Sequence, residues 1–268
     1  MEELTPSVVF ETGMQNLFSI LALALFVLWP MAAKASIIES QRMRCPVGGE
    51  PISVHHARSL FIAEQDMDFK TYGPGLSLLH NYPECSLNGF VVFKMDFTSA
   101  EVETLRGFLR SKAFLAARNE VSSYRAYLMK RRLGGYSDAE LGATLLRATW
   151  EAEGFWQYRS YAKGALFYYA REAERLRSES TPEAYHAMHI KGELSRRLMK
   201  FWDAYWAFDY QSSRPGIEGT PYKKLADYEK WAVRLLWFGA LPVPSKSENY
   251  LVTLLMRLDS WWNGYGRW

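Results

Sequence analysis

A chain of 268 residues, 49% hydrophobic and 23% charged, falls in the ordinary globular range and has room for one sizeable domain or two small ones. Its 32 basic and 29 acidic residues are interleaved and leave a net charge of +3, which excludes the concentrated basic footprint of a nucleic-acid binder. Aromatic content is the outlier: 10 Trp, 16 Tyr and 15 Phe, mostly in the second half, where such rings either fill helix–helix cores or line a binding groove.

Leu17 through Trp29 is apolar apart from Ser19 and is shorter than the ~20 residues a spanning helix needs. Ala33-Lys34-Ala35 follows, with the small-x-small character of a cleavage site. Residues 1–35 are therefore expected to be a signal peptide, with Met14 as an alternative start, and the mature chain to be periplasmic or otherwise exported. Against this, Glu2, Glu3 and Glu11 precede the apolar run while Lys34, Arg42 and Arg44 lie beyond it, so the usual positive leading segment is missing. The alternative is an inner-membrane anchor formed by residues 17–33, which would be the membrane contact of the chain.

Residues 36–97 are rich in turn formers and short apolar runs, and predict a ribbon-like β unit. Two knuckles punctuate it, Cys45-Pro46-Val47-Gly48-Gly49 and Cys85-Ser86-Leu87-Asn88-Gly89. Each reads as half of a zinc ribbon in which Gly48 or Asn88 stands where the second thiol belongs, and two thiolates do not close a four-ligand zinc site. Phe90–Phe93 is β-branched and aromatic, so it predicts a strand, with Ile52-Ser53-Val54 as its neighbour. The two cysteines suit one disulfide in an oxidising compartment, the other reading being two unrelated thiols. A Cys45–Cys85 bond would close a loop of about 41 residues, worth roughly 4 kcal/mol as an upper value. His55, His56 and His80 share the segment and are the candidates for a residual metal site, although their spacings are not those of a zinc finger.

From residue 98 to 268 the period becomes helical. Thr98-Ser99-Ala100-Glu101 is a capping box, and Thr181-Pro182 and Thr220-Pro221 are helix starts. Breaks fall at Gly134-Gly135, Ser180 to Pro182, Ser212 to Pro221 and Pro242 to Pro244. Gly192, Ala204 and Phe208 keep the small, small and aromatic spacing of a tetratricopeptide repeat, with Arg197 to Phe201 as the turn between its helices. Leu141–Glu153 and Tyr158–Leu176 form a blurred earlier pair. The fold class is therefore α+β and mainly α: a small degenerate ribbon-like β unit followed by a tetratricopeptide-like helical array.

In this combination the chain resembles bacterial proteins of unknown function that pair two Cys-Pro-x-Cys-Gly knuckles with a tetratricopeptide-like tail. The resemblance is carried by Cys45-Pro46-Val47, Tyr72-Gly73-Pro74, Cys85 through Val91, Asp96-Phe97-Thr98 and Gly192…Ala204…Phe208. It spans about residues 43–110 and, more loosely, 140–235. Both second cysteines are lost and Ser86 replaces a knuckle proline, so the resemblance implies neither zinc binding nor any catalytic residue.

Other chemistry leaves little trace. There is no C-x-x-C pair, no G-x-S-x-G elbow and no phosphate-cradling glycine loop. His186 and His189 share a helix face but lack the zincin spacing. Lys130-Arg131-Arg132 and Arg171 to Arg175 read as solvated helix faces, and Leu251–Trp262 as a last helix leading into an aromatic tail. No cofactor is expected. The function these features support is a non-enzymatic scaffold that presents a helical groove to a protein or peptide partner, with Trp202, Tyr205 and Trp206 as anchors. The alternative is a metal-binding or redox envelope protein using the Cys45/Cys85 region.

Overall fold

In the computed structural model the described residues are 36–241 and Val243; the expected leader, the expected last helix and the aromatic tail lie outside them. The chain opens with an antiparallel hairpin, β1 (Ile37–Arg44) and β2 (Pro51–Ser59), in which Met43 faces Ile52 and Arg44 faces Pro51. The first knuckle is its connection. Ile52 and Val54 point into the core while Ser53 points out, the period of a half-buried strand.

Phe90–Phe93 is not the partner of β2. It contributes a single bridge, Val91 to Glu84, which closes the second knuckle, and it buries Phe90, Val91 and Val92. Closing a hairpin over six residues costs less loop entropy than pairing across some 35, so β1 takes the place. The polar sequence of β1 concealed it. A second, minimal ladder joins β3 (Glu64–Gln65) to β4 (Thr71–Tyr72), and one turn of helix, α1 (Ser77–His80), follows.

The rest is helical: α2 (Ser99–Leu109), α3 (Lys112–Ala116), α4 (Ser122–Leu133), α5 (Asp138–Glu151), α6 (Phe155–Arg175), α7 (Pro182–Arg197), α8 (Phe201–Ser212) and α9 (Pro221–Arg234). The architecture is thus α+β and mainly α. Thr98 and Glu101 form the expected reciprocal cap of α2, and Ser137 and Glu140 repeat it on α5. Gly134 and Gly135, both at positive φ, separate α4 from α5. The turn between α7 and α8 is shorter than expected. It spans residues 198–200, and Arg197 remains in the helix.

Two cores cross residue 97. Cys45, Cys85 and Phe90 pack with Leu105 of α2, Phe114 of α3 and Met129 of α4. Met67, in the turn between β3 and β4, packs with Leu225, Tyr228 and Ala232 of α9 and with Leu241. The largest core lies among α4 to α8. Lys130 is a correction to the solvated-face expectation. It is buried in the last full turn of α4, its Nζ donating to Thr144 Oγ1 at 2.8 Å beside the Tyr136 ring, because α5 packs over that turn.

Candidate binding groove

Three consecutive helices frame a groove. From α6 and the turn beyond it come Lys163, Leu166, Phe167, Ala170, Glu174 and Arg177, one stripe at helical spacing. Met188, Lys191 and Ser195 of α7 and Asp203, Trp206 and Tyr210 of α8 complete the walls, and Lys200 closes one end. Two adjoining depressions of about 540 and 530 Å³ share Leu166, Ala170, Glu174 and Lys200, so they are one surface feature.

The α8 sequence explains its place there. Ala204, Ala207, Phe208 and Gln211 face inward, which leaves Trp202 and Trp206 on the outside, 72% and 54% exposed. Tyr205 is half-buried between them. Its ring stacks on Trp202 at 6.3 Å, the two tryptophans meet edge to face at 5.8 Å, and Arg234 lies over Tyr205 at 5.7 Å. The three residues expected as anchors are therefore one contiguous aromatic cluster; Trp206 lines the groove, while Tyr205 turns toward Arg234 of α9.

Beneath the groove, α7 is held by charges taken wholly out of water. Arg196 forks onto Glu193 at 2.6–2.9 Å and caps the carbonyls of Trp237 and Gly239. Its Nε lies 2.7 Å from Glu229 of α9. Arg197 reaches Glu193 at 2.6 Å and Asp68, in the β3–β4 turn, at 3.1 Å. Trp150 of α5 donates to the same Asp68 carboxylate at 3.2 Å. Burial would raise the Glu193 carboxyl, but the two guanidiniums prevail and hold it at about 2. Burial also lifts Glu229, and the neighbouring Glu193 charge adds to it. The pull of Arg196 opposes both, yet the carboxyl lies well above the usual range.

The knuckles are built alike. Cys45 N–H donates to Glu50 O and Gly49 N–H to Cys45 O at 2.8 and 2.9 Å. Cys85 N–H donates to Phe90 O and Gly89 N–H to Cys85 O at the same distances. Gly49 and Gly89 each take positive φ at the equivalent place. Cys45 and Cys85 form a disulfide with Cα atoms 5.8 Å apart. A Cβ on Gly48 would lie 2.0 Å from Glu50 Oε2 and 3.0 Å from Asn88 Nδ2, so these side chains fill the space beside Gly48. Arg125 of α4 ties the second knuckle down through Gly89 O and Glu84.

The histidines lie elsewhere. Among the described residues, the group of three possible ligands is Cys45, Glu50 and Cys85. His55 instead pairs with Ser40 across the hairpin, His56 is exposed on β2, and His80 sits on α1 against the Trp150 ring. His189 is fully buried, bonds Met67 O at 2.8 Å and lies 5.4 Å from the Phe69 ring, on which His186 stacks at 5.2 Å. Burial holds His189 down at about 4 despite the Met67 carbonyl.

Sequence reasoning overlooked the groove lysines and the α7 ion network. A signal for part of the network was available: Glu193 stands three and four residues before Arg196 and Arg197, the spacing of ion pairs on a helix. No protein-family model, curated protein or solved structure matches the chain.

Proposed function

We propose that this chain is an exported, non-enzymatic interaction scaffold that offers a helical groove to a protein or peptide partner. One observation carries the proposal: α8 turns Trp202 and Trp206 to solvent beside a groove, where core packing does not require them. Rings of this kind, exposed and clustered, are the usual anchors of protein interfaces. The tetratricopeptide-like reading adds support, because Gly192 and Phe208 meet at the α7–α8 contact in the way that repeat needs. The disulfide and the sequence of residues 1–35 support export, and among the described residues no helix is long and apolar enough to cross a membrane. The metal or redox alternative has less behind it, since both cysteines are buried and joined to each other.

Two measurements test the proposal. Intact mass of the native protein, alkylated without reductant, should begin at Ser36 with both cysteines blocked; a full-length mass with two free thiols overturns the export half. The W202A/W206A variant should melt within about 2 °C of wild type, as surface substitutions do. It should also lose the adducts formed by a photo-cross-linker placed at position 203. Unfolding of the variant would show that the rings are structural and end the anchor assignment.

A further inference from the structure

We infer that the groove between α6, α7 and α8 takes an acidic peptide, a protein segment in which carboxylates alternate with apolar side chains. The inference rests on the scaffold reading and adds the chemistry of the partner. Its basis is an imbalance of charge over an apolar floor. The lining carries five cations, Lys163, Arg171, Arg177, Lys191 and Lys200, against the two carboxylates Glu174 and Asp203. Arg171 is engaged by Asp138 of α5 at 2.9 Å, and Arg177 by Glu174 at 3.3 Å.

The three lysines have no ion pair or side-chain hydrogen bond among the described residues, and Asp203 is the one carboxylate left to oppose them. Leu166, Ala170 and Met188 form the floor between them, with Phe167 and Trp206 at its edges, each more than half exposed. Low-dielectric walls concentrate the field of such lysines, so the groove attracts negative charge while its floor and rings reward apolar side chains. A peptide supplies both at residue spacing. A nucleic acid would need a continuous track of phosphate contacts, whereas Glu174 and Asp203 interrupt this surface and the chain as a whole is only +3. Two joined depressions of over 500 Å³ each suit a stretch of chain better than a single small metabolite.

The test pans displayed random peptides about 16 residues long against the full chain and remakes the selected ones with a fluorescent label for anisotropy. The selected peptides should be net acidic with interspersed Leu, Phe or Trp, and should weaken as salt is raised. The K163Q/K191Q/K200Q variant should bind them about tenfold or more weakly while melting as wild type does. K191E and K200E, taken singly, should move affinity the same way. Selection of neutral or basic peptides that still need Trp202 and Trp206 overturns the acidic class and leaves the scaffold standing. No selection, or binding untouched by the tryptophan and lysine variants alike, defeats both. Tighter binding of an oligothymidylate than of any selected peptide, lost in the lysine variant, overturns the proposal in favour of single-stranded nucleic acid.

Discussion

At the scale of single residues, the two glutamates that meet Arg196 have opposite roles. Glu193 is the anion that Arg196 and Arg197 share, so E193Q leaves two buried guanidiniums short of charge and should cost about 3–5 kcal/mol in urea unfolding. Burial pushes Glu229 toward its protonated form, which a glutamine copies, so E229Q should stay within about 1 kcal/mol of wild type at pH 5. Equal losses in the two variants would contradict this division.

His189 adds a pH signature. Its folded value of about 4 lies below the ordinary 6.5, so between these limits the unfolded chain takes a proton that the fold refuses. Stability therefore falls as pH drops through that window, by about 1.4 kcal/mol per unit and roughly 3 kcal/mol in all. His186, also lowered by burial, adds to the slope. Glu229 acts oppositely, because its raised value makes stability fall as pH rises above 4.5. The two slopes offset one another in wild type. H189Q should unmask the Glu229 slope, and E229Q the His189 slope, in denaturation midpoints measured from pH 4.5 to 6.5.

At the scale of elements, close approach decides the α7–α8 pair. A Cβ on Gly192 would sit 2.6 Å from the Phe208 ring, which is itself fully enclosed with Ala204, Ala226 and Val233. The ring has nowhere to move, so G192A should cost about 1–3 kcal/mol and lower the thermal midpoint, whereas an alanine at Gly107, which meets no neighbour, should gain slightly. The knuckles make a comparable argument by symmetry. Equivalent turns, equivalent glycines and the approach of Gly48 to Asn88 set these two positions beside the disulfide. G48C/N88C, reduced and with Glu50 also changed to Ala to clear its carboxylate, should bind one zinc ion as a tetrathiolate, read by cobalt substitution spectra. Absence of the thiolate charge-transfer band would mean that the four positions do not converge.

At the scale of the whole molecule, the disulfide and the β3–β4 turn hold the amino-terminal segment onto the helices from two sides. The first joins the hairpin to the second knuckle, which packs on α2, α3 and α4, and the second inserts Met67 and Asp68 between α5, α7 and α9. Reduction removes one tie only. C45S/C85S should therefore lose about 2–4 kcal/mol, or roughly 5–15 °C, while keeping its far-ultraviolet helical signal. Complete unfolding would show that the second tie cannot hold by itself.

Much of this was legible in the sequence, and for local reasons. The caps at Thr98 and Thr181, the glycine break before α5, the small–aromatic set of α7 and α8 and the mainly helical class depend on neighbours within a turn or two, where spacing alone fixes geometry. The exposure of Trp202 and Trp206 follows the same period, once Ala204, Ala207 and Phe208 define the inner face. Tertiary structure decided what distant segments contribute. The sequence 52–54 was compatible with two strand partners, and loop closure chose β1 over Phe90–Phe93. The pairing of Arg196 and Arg197 with Glu193 is local, but their burial and second carboxylates depended on Asp68, some 130 residues away, and on Glu229 from another helix. The groove likewise exists only where α6, α7 and α8 lie side by side, because its lysines are unremarkable on each helix and acquire a common field only when packing gathers them over one apolar floor.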